Sequence, residues 1–217
     1  MAIIKKSNFA FKGRLGLNTA SIVHGVNILK GLPASVRNPR TSAQMDNRER
    51  FKVLSQLAAA FLAPSNIGLK NKAKQYGPLV TICDAFMKYN QGAISVMGGE
   101  AEVDYGSLKC SVGNLPQAGF GNASFTEPGR VSVTWDTHAD VPGADAQDKG
   151  YIFLYQPDTK QGILSAPALR TTGSLEVRVP STWTGLTVHV FGFGVGDGRD
   201  NKGKHSDSCY IGTGIIG

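Results

Sequence analysis

The chain is poor in the residues that cross-link or ligate through sulfur. It has three cysteines, Cys83, Cys110 and Cys209, widely separated and odd in number. No CxxC or zinc-type spacing occurs, which excludes a disulfide framework and a thiolate zinc centre and predicts free, mostly buried thiols in a reducing compartment. No apolar run approaches the roughly 20 residues needed to span a bilayer. Met1–Phe11 contains Lys5 and Lys6 but no apolar stretch long enough for a signal peptide. The expectation is therefore a cytoplasmic chain with no membrane partner. Acidic residues are scarce at the start: residues 1–100 carry 14 Lys/Arg against 4 Asp/Glu, and residues 101–217 carry 9 against 12. The first part is basic and the second mildly acidic, so the basic part can meet nucleic acid, meet the acidic part of a neighbouring copy, or simply be a solvated surface.

What is present points to a folded chain. Its 217 residues are 41% hydrophobic and 18% charged, and its 27 glycines favour turns and strands over long helices. Ala20–Val23 and Val26–Leu29 read as short strands joined by a tight turn at His24-Gly25, a hairpin too small to stand alone. A change of period follows at Asn38-Pro39-Arg40-Thr41. Thr41 and Gln44 match a capping box. Met45, Phe51, Leu54, Leu57, Ala58, Phe61 and Leu62 then recur at helical spacing up to Pro64. A second helical region runs from Leu69 to Tyr89, broken at Gly77-Pro78, with a clear helix expected from Pro78 to Tyr89.

From Ala93 the helical period disappears. Ala101–Tyr105 and Leu108–Val112 read as a strand pair around Gly106-Ser107. Further strands are expected at Arg130–Asp136, Gly150–Gln156, Gln161–Ser165, Ser174–Val179, Leu186–Phe193 and Ser208–Gly212. Val131, Val133 and Trp135 alternate on one face, as do Leu175, Val177 and Val179, and Trp135 is the natural core anchor. The fold class is thus α+β: a hairpin plus two or three helices over residues 1–100, then an antiparallel sandwich over residues 101–217. With no cysteine pair bridging its sheets, a fibronectin type III-like sandwich is favoured over an antibody-like one.

Several of these features occur together in one pattern: Met1-Ala-Ile-Ile-Lys-Lys, the Gly-rich hairpin, Asn38-Pro39-Arg40-Thr41-x-x-Gln44-x-x-x-Arg48-x-x-Phe51, a Tyr/Asn-rich second helix and a Val-Thr-Trp sandwich. The chain resembles an uncharacterised family of Bacteroidota proteins, a domain of unknown function, over nearly its whole length. The resemblance brings no activity and no catalytic residues. The hairpin departs from that pattern, with His24-Gly25-Val26-Asn27 in place of a Lys-Gly turn.

Candidate chemistry is thin. Asp136, His138 and Asp140 sit at the spacing of a divalent-ion cluster, but that spacing is ordinary in polar loops. His189, between Val188 and Val190, reads as a strand residue facing solvent or a polar neighbour. Gly194–Lys204 has no following helix to hold phosphate and lacks the acids of a calcium loop, so a long hairpin connection accounts for it better. There is no Gly-x-Ser-x-Gly elbow, and Cys83 lies on an apolar helix stripe. These absences argue against an enzyme, a metal and a cofactor.

The feature with functional weight is the basic set Arg37, Arg40, Arg48, Arg50 and Lys52, with Lys70, Lys72 and Lys74 further on. These are candidates for interface or phosphate contact, with Phe51 or Tyr76 nearby. Thr41, Gln44, Phe51 and Trp135 have structural roles in this reading. The expected function is a non-enzymatic assembly protein, a virion or other particle component, partnered by itself or by other particle subunits. The alternative is a nucleic-acid-associated protein that grips phosphate backbone through its basic part without reading sequence. Arg40 and Arg48 are expected to act mainly as structural or interface cations.

Overall fold

The computed structural model describes residues 2–4, 12–23, 25–35, 40–137 and 141–217. They fall into two units, residues 1–41 and 42–217. Residue 100, expected to be a boundary, lies inside the second unit at the start of a strand.

In the first unit Ala2–Ile4 (β1), Gly13–Leu15 (β2), Asn18–Val23 (β3) and Val26–Gly31 (β4) form a sheet in the order β1-β4-β3-β2. The expected hairpin is at its centre. Val23 pairs with Val26, and Gly25 between them has φ +77°, the left-handed backbone that two-residue hairpin loops require. Burial is sparse here. Among the described side chains only Ala20 and Ile28 are buried, while Leu17 is 80% exposed and Ile22, Val23 and Leu32 are exposed as well.

The second unit begins with Ser42–Ala60 (α1), Leu62–Gly68 (α2), Lys70–Tyr76 (α3) and Ile82–Asn90 (α4). α1 starts directly after Thr41, where the Asn-Pro-Arg-Thr run predicts it. Only its second half packs: Leu54, Leu57, Ala58 and then Phe61 are buried at helical spacing. Met45, Phe51 and Leu62, expected on the same stripe, are exposed, Phe51 by 60%.

Pro64 does not end this helix. The break comes at Phe61, and Pro64 sits in the first turn of α2, where a missing N–H costs no intrahelical bond. α4 begins at Ile82 rather than Pro78 because Thr81 and Asp84 cap each other. The Asp84 N–H donates to Thr81 Oγ1 at 3.1 Å, and the Thr81 N–H donates to Asp84 Oδ2 at 2.9 Å. Thr41 and Gln44, at the start of α1, are both exposed.

Ile94–Met97 (β5) and Glu100–Val103 (β6) form a hairpin that turns on Gly98 and Gly99, both at positive φ. It replaces the pair expected at Ala101–Tyr105 and Leu108–Val112. Gly106-Ser107 cannot serve as that hairpin's loop, because Asp104 holds it in a 3₁₀ turn. The Gly106 N–H donates to Asp104 Oδ1 at 3.0 Å and Ser107 Oγ to Oδ2 at 2.5 Å. The segment beyond is tied by side chains instead of a partner strand. The Lys109 N–H donates to Asn90 Oδ1 at 2.7 Å, the Cys110 N–H to Ser208 Oγ at 3.0 Å, and Ser111 Oγ to the Ser206 carbonyl at 2.6 Å. Its backbone groups are satisfied without a ladder.

The remaining strands are Gly119–Ser124 (β7), Arg130–Asp136 (β8), Lys149–Gln156 (β9), Gln161–Leu164 (β10), Ala168–Leu169 (β11), Ser174–Arg178 (β12), Thr187–Val195 (β13) and Cys209–Ile215 (β14). All pairings are antiparallel. They make a three-stranded sheet β12-β8-β7 and a five-stranded sheet β10-β9-β13-β14, with β11 also on β9. The architecture is mixed helix and antiparallel sheet, as the α+β reading requires. β7 is unexpected; its Gly119 and Gly121 blur the alternation that marks the other strands.

Val131, Val133 and Trp135 of β8 and Val177 of β12 share one core cluster with Ile152, Leu154, Val188 and Val190 of the five-stranded sheet. The predicted inward faces are therefore correct. Trp135 is joined there by Trp183, which is completely buried. The opposite face of the five-stranded sheet presents Phe153, Tyr155, Phe191 and Phe193 to the helices. Phe61 lies at the centre of that contact, with its ring 4.7 Å from Phe153, 5.1 Å from Tyr155, 5.2 Å from Phe191 and 5.4 Å from Phe86. Gly162 permits the close approach: a Cβ there would overlap the Phe153 ring and crowd the Ala60 carbonyl. No helix among the described residues is long and apolar enough to cross a membrane.

Candidate functional site

Within the second unit the candidate basic side chains have different surroundings. Arg37 lies outside the described residues. Arg40 is exposed and has a left-handed φ of +50°. On α1, Arg48 reaches Met45 Sδ at 3.9 Å. Lys52 pairs with Glu49 at 2.9 Å. Arg50 is half-buried: its Nε donates to the Ile94 carbonyl at 3.2 Å and its Nη1 to Asn47 Oδ1 at 3.4 Å. Arg50 thus ties α1 to the β5–β6 hairpin.

On α3, Lys70 and Lys74 line a concavity with Pro78, Val80 and Ile82, whereas Lys72 lines another with Asn71, Lys204 and His205. The first lies at the N-terminus of α4, but there the Asp84 carboxylate already accepts from the Thr81 N–H and Thr81 Oγ1 from the Asp84 N–H, and the carboxylate would repel an anion. Tyr76 carries the Lys88 ammonium over its ring at 3.6 Å and donates its hydroxyl to Tyr89 at 2.9 Å. One face of that ring is therefore taken by a cation rather than open to a base.

A buried polar cluster that sequence pattern does not reveal ties together loops between the strands of the second unit. Arg170 and Asp148 are both almost completely buried, with Nη1 3.7 Å from Oδ2. The guanidinium also donates to the Pro116 and Gln117 carbonyls at 2.8 and 3.0 Å, and to the Thr137 carbonyl. Asn201 Nδ2 donates to the Gly143 carbonyl at 2.7 Å and approaches Asp148 at 3.3 Å. The Trp135 Nε1–H donates to the Arg170 carbonyl at 2.9 Å. Every group of this network is spent on loop backbone, so it fixes structure rather than offering a reactive atom. Part of it is the Gly194–Lys204 loop, which connects β13 to β14 as expected.

Among the described residues, no group of three or more His, Cys, Asp or Glu could hold a metal ion. His138 and Asp140 lie outside the described residues. Burial pushes the Cys110 thiol up to about 12 and the Cys209 thiol up to about 11, far from a reactive thiolate.

A concavity of about 620 Å³ is lined by Ser95, Glu102, Val103, Asp104, Tyr105, Gly106, His189 and Tyr210. Its geometry follows from β13. His189, Phe191 and Phe193 point to the helix-covered side of the sheet, and the cover ends at His189. There the Tyr105 ring stacks on the imidazole at 3.8 Å and 16°, and the Tyr210 hydroxyl lies 2.9 Å from His189 Nδ1. Burial pulls His189 below its ordinary value of 6.5, which keeps the imidazole neutral at pH 7. Tyr105 is raised, by burial first and then by the charges of Asp158 and Tyr210. The polar neighbour expected for His189 is thus a pair of tyrosines. The signal was a histidine in a series otherwise filled by phenylalanine; its partner Tyr105 is too distant in sequence to be paired with it by pattern.

A family model described as "Family of unknown function (DUF6266)" matches residues 10–212. No curated protein matches the chain.

Proposed function

The chain belongs to this family of unknown function, and from that premise we propose that it is a non-enzymatic structural protein that works by self-association, as a component of a virion or other assembling particle in the cytoplasm. The observation that carries this reading is the first unit. Its four strands bury only Ala20 and Ile28 among the described side chains and leave Leu17, Ile22, Val23 and Leu32 exposed. A sheet so small and so poorly covered gains its stability by packing on something. Residues 1–41 also carry seven Lys/Arg and no Asp/Glu, which leaves 16 of each in residues 42–217. The whole net charge of +7 therefore resides in this sheet's segment.

We read the second unit's two larger sheets as a fibronectin type III-like sandwich. Counting from β7 and leaving out the short β11, the first, second and fifth strands (β7, β8, β12) form one sheet, and the third, fourth, sixth and seventh (β9, β10, β13, β14) form the other. Such sandwiches are used widely for contact; this support is a fold-level analogy.

Light scattering of the full chain across a concentration series tests the proposal. Mass rising to a defined multiple of 23.0 kDa is the expected result; a monomer at every concentration would overturn it. A second reading, favoured by the acid-free charge of residues 1–41, is backbone binding to nucleic acid. It predicts salt-sensitive retention of unrelated DNA or RNA, and the absence of binding at low salt would remove it.

A further inference from the structure

The cleft at His189 has a one-sided chemistry. Its side chains supply carboxylate, phenol and hydroxyl oxygens, and no ammonium or guanidinium lines it. Glu102 makes no ion pair among the described residues. Asp104 keeps its place by accepting from the Gly106 N–H and Ser107 Oγ, which position the carboxylate without neutralising it. The imidazole adds no positive charge, and Asp158 extends the negative field to Tyr105. His189 covers one face of the Tyr105 ring and Tyr155 lies 6.0 Å from it, so recognition here works through charge and acceptor atoms rather than by stacking on a sugar or base.

Ammonium and guanidinium groups are the donor-only counterparts of such a lining. The volume is within the range of small-ligand sites, roughly 300–1,000 Å³. Asp104 sits in a side-chain-locked turn, so this acceptor is held before a ligand arrives, and Glu102 stands on the adjoining hairpin.

We infer that the cleft formed by Glu102, Asp104, Tyr105, His189 and Tyr210 binds a cationic nitrogen ligand, either the Lys or Arg side chain of a basic polypeptide or a free polyamine. This stands apart from the self-association reading and holds for a monomer equally well.

The test is calorimetric titration of the full chain with N-acetyl-arginine methylamide, with spermidine, and with N-acetyl-citrulline methylamide as the neutral isostere. Saturable binding of a cation is expected, with citrulline weaker by about tenfold or more. Preference for the arginine compound assigns a polypeptide source, and preference for spermidine assigns a polyamine. Glu102→Gln, at an exposed hairpin position, should weaken binding by about fivefold to tenfold. Ser95→Lys, which supplies a tethered ammonium, should abolish it. Absence of saturation by either cation, equal binding of citrulline, or binding unaffected by both substitutions would overturn the assignment.

Discussion

In residues 1–41 four strands share two buried apolar side chains, Ala20 and Ile28, among those described; in residues 42–217 a single five-stranded sheet is covered on both faces. One face of that sheet meets β7, β8 and β12, the other meets α1, α2 and α4, and Phe61 alone touches four aromatic rings. Charge divides the same way: seven cations without an acid in the first region, balanced charge in the second. The second region buries a core of its own, while the first presents apolar side chains and a run of cations without acids, the features on which the proposed self-association rests.

The sharpest way to break this contrast is to open the core of the second region. Phe61→Ala should cost about 3–5 kcal/mol, because the substitution leaves a cavity among the rings of Phe86, Phe153, Tyr155 and Phe191, between the helices and the sheet. Denaturant unfolding of the full chain checks this; a loss below about 1 kcal/mol would mean that the helical layer is not integral to the fold. Arg170→Met should be nearly as damaging, at about 3–5 kcal/mol, since it leaves Asp148 buried without its cation. The same unfolding measurement applies.

Substitution in the first region should behave oppositely. Ile22→Asp is expected to change stability by no more than about 0.5 kcal/mol while reducing the oligomer fraction seen by light scattering. A large stability loss with assembly intact would erase the distinction between the two regions.

Acidification should weaken the second region by a smaller amount. Burial lowers both His189 and His205 from 6.5 in the folded chain, so as pH falls the unfolded state takes up these protons first. The contribution is fully present above about pH 6.5 and is lost as pH drops from there through the folded values. A melting midpoint that falls between pH 7 and 5, and that does so less in a His189→Phe/His205→Gln double variant, is the expected outcome. The mildest readout is thiol chemistry: at pH 8, buried Cys110 should react with a disulfide reagent only after unfolding, while half-buried Cys209, its thiol pushed up to about 11, should react slowly in the folded chain.

How far sequence pattern reached depended on whether the determining contacts were local. β8 and β12 alternate strictly, Gly25 marks a tight turn and the Asn-Pro-Arg-Thr run marks the change of period before α1, so these were legible. β9 was located, but its run Tyr151-Ile152-Phe153-Leu154-Tyr155 hides the fact that odd and even positions serve different cores. That is why a boundary near residue 100 looked natural, although the helices share a core with this sheet. Residues 109–111 read as a strand because their apolar character was visible and their ties to Asn90, Ser206 and Ser208 were not. The cleft was illegible for the same reason: His189 stands out in the pattern, but Glu102 reaches it through the β5–β6 hairpin and Tyr105 through the 3₁₀ turn that follows. Counting cations found the basic segment but could not foresee that Arg50 and Lys52 are engaged within α1 and its neighbour.

The central claim, that residues 1–41 are the assembly element, is tested most directly by hydrogen exchange of the full chain at two concentrations, one on each side of the association midpoint. Protection of the β3 and β4 amides should rise with concentration while that of β9 and β13 stays constant. Protection of β3 and β4 that is independent of concentration would contradict the account.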